Sequence, residues 1–160
     1  MVKFGGGNIL VWGCITAKGP GYITQIEGNM DQHLYKTILE TELEDTIEFY
    51  DYNKDEIIFQ HDNDPKHTSK TVKKWLNDND FEVLPWPAQS PDLNPIENIW
   101  QQVKAALQKY DKHPTSVAEL WSRFQVEWEK ITKERCLALY ESMPRRIAAV
   151  IRAKGGSTKY

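Results

Sequence analysis

The first 26 residues contain neither aspartate nor glutamate, so that segment supplies no carboxylate for acid, base or metal-binding work. Cysteine is nearly as scarce. Cys14 and Cys136 lie far apart with no paired-cysteine motif around either, which argues against a disulfide framework or a cysteine zinc site and fits a reducing compartment. No apolar run approaches the roughly 18 residues that a membrane span needs, and the N-terminus lacks the basic, apolar, small-residue succession of a signal peptide. The chain is therefore expected to be soluble and intracellular, without a membrane partner. Repeats and low-complexity segments are absent too. The 160 residues, 40% of them apolar, suffice for one domain with a real core and are few for two, so a single domain over 1–160 is expected.

The charges that are present are unevenly placed. A net charge of −3 disfavours nucleic acid as a partner, since phosphate binding is driven by Lys and Arg. Yet from Glu40 to Asp64 ten acids face the single base Lys54, whereas Pro144 to Tyr160 carries Arg145, Arg146, Arg152, Lys154 and Lys159 and no acid. A basic terminus of this kind is often only a solvated tail. It is also the place where this chain would meet a phosphate backbone.

Strands come first and helices later. Residues 9–16 are β-branched and aromatic, 17–21 supply turn residues, and 22–26 alternate apolar and polar, which predicts a hairpin. From about Asp31 to Phe49, Leu34, Ile38, Leu39, Leu43 and Ile47 recur at helical spacing, followed by a short buried-type strand at 57–59. A helix at 69–77, a strand at 81–84 and three more helical stretches follow. These start at Pro95, after Ser116 with Glu119 as capping-box partner, and around Leu137 with a restart at Pro144. Trp75, Trp100, Trp121 and Trp128 fall on apolar helix faces and read as core. Trp86, between two prolines in a loop leaving a strand, is placed to be partly exposed.

Two carboxylates stand out by position. Asp62 follows the strand at 57–59 within His61-Asp62-Asn63-Asp64-Pro65-Lys66-His67, and Glu97 lies in the first turn of the helix opened by Asn94-Pro95, with 34 residues between them. Each has an ordinary explanation. An aspartate after a strand commonly bonds its own backbone in a turn, and a glutamate at the third helical position complements the helix dipole. His61 and His67 around Asp62 admit a zinc reading, but no other Cys or His has matching spacing.

The flanks of these acids carry a resemblance. Val11-Trp12-Gly13-Cys14, His61-Asp62-Asn63 with Pro65 and His67, and above all Trp86-Pro87-Ala88-Gln89-Ser90-Pro91-Asp92-Leu93-Asn94-Pro95-Ile96-Glu97-Asn98 resemble the catalytic domain of Tc-one/mariner transposases. Ser142-Met143-Pro144-Arg145-Arg146 and Lys154 to Tyr160 resemble that family's C-terminal end, so the match runs from about Gly5 to Tyr160. Asp64 departs from it, standing where members often carry a small residue.

The resemblance implies a ribonuclease-H-like α/β fold, a mixed sheet with helices on both faces. It implies phosphoryl transfer on DNA, cleavage at transposon ends and joining to target, with Asp62 and Glu97 as catalytic acids that hold Mg²⁺ or Mn²⁺, two ions in an intact site. Asn63, His67 and Trp86 would adjoin that site, and Arg145, Arg146, Arg152 and Lys154 would contact DNA. A homodimer is allowed, and in a eukaryote the nucleus is the expected location. The family's first strand, with its catalytic aspartate, and its helix-turn-helix modules have no counterpart among these residues. The expectation is therefore an N-terminally truncated catalytic domain that is inactive alone. The alternatives are a non-catalytic DNA-binding or assembly module, or an unrelated metal nuclease drawing a third carboxylate from Asp64 or Asp92. Without that central first strand, the strands at 9–16 and 57–60 are expected either to close on each other or to leave a gap.

Overall fold

The computed structural model describes residues 2–4, 7–87 and 91–153, with only the backbone described at 2–4 and Asp92. The predicted hairpin forms as β2 (Gly7–Thr16) and β3 (Gly19–Ile26), antiparallel and joined by the two-residue turn Ala17–Lys18. Gly19 closes that turn at φ +150°, where an added Cβ would strike the Tyr50 hydroxyl, so glycine is required twice over. A short β1 (Val2–Phe4) folds back on the start of β2, giving the order β1-β2-β3.

The helix predicted from 31 to 49 is capped by Asp31, whose side chain accepts from the amides of His33 and Leu34. It runs as α1 (Gln32–Ile38), a π-helical segment (Leu39–Leu43) and α2 (Glu44–Phe49). Strand β4 (Ile58–Phe59) then pairs in parallel with β5 (Glu82–Val83) across α3 (Lys70–Asp78). The remaining helices are α4 (Ile96–Leu107), α5 (Val117–Glu129), α6 (Lys133–Glu141) and α7 (Met143–Arg152). Ser116 caps α5 as expected. Glu119, however, accepts from the amide and hydroxyl of Thr115, one residue before the cap.

Alternation along β2 divides the core. Ile9, Val11 and Ile15 meet Ile99, Val103, Leu120, Phe124, Trp128 and Leu139 of α4, α5 and α6. Trp12, on the other side of the strand, packs against Tyr35, Leu39, Phe59, Val72 and Trp75 of the α1–α3 side. Helices thus cover both faces, as the pattern of strands and amphipathic helices requires. Gly13 lets the α4 and α5 tryptophans lie on the sheet, since a Cβ there would come within 2.9 Å of the Trp100 ring. Trp75 and Trp128 are buried, and Trp100 and Trp121 pack at the edge of the core, as expected.

The strands do not make one continuous sheet. Among the described residues β2 and β4 are unpaired with each other, so the antiparallel and parallel parts remain two small sheets and the gap persists. Ile58 on β4 is 58% exposed, at an edge that has no strand neighbour among the described residues.

Candidate active site

The chain leaving β4 turns tightly because of its short polar side chains. Asp62 Oδ1 accepts from the Asp64 amide at 3.0 Å, and Asp64 Oδ1 from the Lys66 amide at 2.9 Å, two successive Asx turns. The turn explanation of Asp62 is therefore correct, but incomplete. The same Asp62 oxygen lies 2.5 Å from His67 Nδ1, which must donate because an ionised carboxylate only accepts. That bond, aided by the Asp64 amide, holds the Asp62 carboxyl below its usual range despite partial burial.

A ring stack backs the acid. His67 stacks on Tyr35 at 4.0 Å between centroids, and the Tyr35 hydroxyl lies 3.1 Å from His61 Nδ1. Burial lowers the His61 pKa to about 4, so its imidazole is neutral near pH 7. The buried His67 Nε2 has no hydrogen-bond partner among the described residues. The Nδ1 atoms are thus engaged by Tyr35 and Asp62, and among the described residues no third Cys, His, Asp or Glu gathers with these histidines.

Glu97 opens α4. Asn94 Oδ1 accepts from the Ile96 amide at 3.3 Å, so Asn94 supplies the expected cap, with Pro95 already in helical conformation. Glu97 is exposed, and its side chain makes no hydrogen bond or ion pair among the described residues. The two acid motifs are joined by Gln60 Nε2 donating to Asn94 Oδ1 at 3.4 Å, two residues before Asp62 and three before Glu97. A second tie runs from Asn63 Nδ2 to the Trp86 carbonyl at 2.7 Å, which anchors the half-exposed Trp86 loop to the Asp62 turn.

Asp62 and Glu97 are hard oxygen donors of the type that Mg²⁺ and Mn²⁺ take. They do not form a complete donor set: among the described residues no three His, Cys, Asp or Glu side chains gather to hold a metal ion. Asp64 is used in the turn and approaches Lys66 Nζ at 3.5 Å.

The basic C-terminal cluster divides when folded. Arg145 and Arg152, seven apart on α7, are both exposed, and Lys154 lies outside the described residues. Arg146 corrects the expectation of a surface residue. It is 3% exposed, and its guanidinium donates to Ser142 Oγ at 2.7 Å and to Asn98 Oδ1 at 2.6 Å. One helical step of about 100° turns it from the solvent face toward α4. Charge counting along the sequence carried no sign of this, although the adjacent Arg145-Arg146 pair had to diverge on a helix.

A family model described as DDE superfamily endonuclease matches residues 5–120. The chain belongs to this family. The Tcb1 transposase of Caenorhabditis briggsae is 39% identical over 159 residues, covering 99% of this chain and 57% of that protein. The chain thus spans little more than half the length of this transposase relative. Among solved structures, the catalytic domain of Mos1 mariner transposase superposes with a TM-score of 0.82 at 19% identity, covering 94% of this chain and 76% of that one. The Mos1 paired-end complex with Mn gives 0.85 at 20% identity, covering 94% and 45%. The fold of this DDE family member is accordingly the ribonuclease-H-like one of the Mos1 catalytic domain. Among its described residues no helix is long and apolar enough to cross a membrane.

Proposed function

We propose that this chain is the portion of a Tc1/mariner-type transposase catalytic domain that carries the second and third acids of the triad, Asp62 and Glu97, and that it acts on DNA phosphodiesters. The observation that carries the reading is the Gln60–Asn94 bond, which joins the two acid motifs at one rim of the fold. Support comes from the Tcb1 relative, a transposase, and from Mos1, whose structures include complexes with a transposon end and with Mn or Mg. Asp62, held ionised and oriented by His67, and the unpaired Glu97 are the groups that would present oxygens to a divalent ion, which supplies charge neutralisation at the phosphate when bound. His67, Asn63 and Trp86 position the Asp62 turn. A nuclear location and a homodimer belong to the same proposal.

Because no three donors gather among the described residues, the 160-residue chain alone is inactive in this reading. The test is cleavage and strand transfer on transposon-end DNA with Mg²⁺ or Mn²⁺, by the chain alone and after adding a segment with an aspartate-bearing strand. Activity only with the added segment, abolished by Glu97→Gln, supports the proposal. Robust cleavage by the chain alone would falsify the inactivity and require a further metal ligand beyond Asp62 and Glu97. The incomplete set also favours a second reading, a non-catalytic DNA-binding module. Salt-sensitive DNA binding, indifferent to Asp62→Ala and Glu97→Ala, in a chain that no added strand activates would select it.

A further inference from the structure

Helix α3 starts eight residues after Asp62, in direct continuation of the turn that holds His67 against that acid. Ser69 caps it by accepting from the Val72 amide, and Val72, Trp75 and Leu76 bury one face in the core beside Phe59. The opposite face is basic. Lys70, Lys73 and Lys74 are all exposed, and they are not equivalent. Lys74 is paired with Asp78 at 2.5 Å, and Lys66, in the preceding turn, lies 3.5 Å from Asp64. The side chains of Lys70 and Lys73 make no hydrogen bond or ion pair among the described residues.

The bland reading of such lysines is the solvated side of an amphipathic helix. Their neighbourhood argues for more. Asp62 and Glu97 make this rim repulsive to a phosphate, yet the proposed reaction needs a phosphate there. The nearby acids Asp64 and Asp78 are occupied by Lys66 and Lys74, which leaves the charges of Lys70 and Lys73 available to an external anion. Lys73 also lies close enough to His61, the residue before Asp62, for its charge to be felt there.

We propose that Lys70 and Lys73 form a DNA-backbone contact that seats a phosphodiester strand against the Asp62 rim, a positive surface distinct from Arg145 and Arg152. This rests on the reading of the rim as a DNA site. The contact reads charge and carries no base sequence, as phosphate contacts do.

The experiment uses the full chain and a fluorescent 20-base-pair duplex, with binding measured against salt. Lys70→Gln with Lys73→Gln should weaken binding roughly tenfold near 0.1 M salt and lower the log–log salt slope by about 1.8, the slope of two phosphates. The Arg pair at the same positions should restore both. In the unmutated chain, acetylation footprinting should show Lys70 and Lys73 protected by duplex and the exposed Lys109 unprotected. Wild-type binding with unchanged slope in the Gln variant and no protection overturns this contact and leaves the DNA reading standing. No binding by the wild-type chain at low salt overturns both.

Discussion

His67 Nδ1 lies 2.5 Å from Asp62 Oδ1, so one of the two candidate catalytic acids is held by a side chain five residues further along the same turn. The link keeps the carboxylate ionised and orients it, while stacking on Tyr35 fixes the imidazole. Removing the donor should release the acid. In His67→Ala the Asp62 carboxyl should titrate at higher pH than in the wild type, followed by carbon NMR of the side chain. The sign is that of any carboxylate stabilised in the folded state: the contribution is present above the unfolded value and is lost as pH falls through the lower folded one. An unmoved Asp62 titration would mean that the hydrogen bond is not what depresses it.

Arg146 and its neighbours separate a structural arginine from surface ones. Arg146→Ala leaves Asn98 and Ser142 without their buried partner and should cost about 2–4 kcal/mol in urea unfolding. Arg145→Gln with Arg152→Gln should leave stability within about 0.5 kcal/mol while weakening DNA binding. The opposite pattern, a stable Arg146→Ala chain with lost DNA affinity, would return Arg146 to the interface.

Metal binding by this chain should be weak. Two carboxylates leave most of an octahedral Mg²⁺ shell to water, so calorimetry should detect a shallow isotherm that either Asp62→Ala or Glu97→Ala removes. Tight binding that survives loss of both acids contradicts the assignment.

Acid should loosen the start of α5. Hydrogen bonds from Thr115, backbone and side chain, and the Arg123 guanidinium hold the Glu119 carboxyl down at about 2. Its stabilising contribution is therefore present above the unfolded value near 4.5 and fades as pH falls toward 2. Thermal melts across that window should show the wild-type chain losing its advantage over Glu119→Gln. A constant difference between them would show that the Glu119 charge does not contribute.

Much of this was legible in the chain itself. The alternation in residues 9–26, the helical spacing from 31 to 49 and the caps at Asn94 and Ser116 rest on local rules, in which backbone geometry and the nearest side chains decide the element. The motifs around Asp62 and Glu97 were legible for the same reason: each is a short segment whose turn and cap chemistry is written in adjacent residues.

What the sequence determined by itself was thus the elements, the two acids and the family. Only the tertiary structure decided which partners those residues meet. It joined Gln60 to Asn94 and Asn63 to Trp86, sent Arg146 to Asn98 while Arg145 stayed in solvent, and left β2 and β4 unpaired. Those outcomes depend on contacts between segments far apart in the chain. Their geometry follows from how whole helices pack on the strands, which no local spacing encodes.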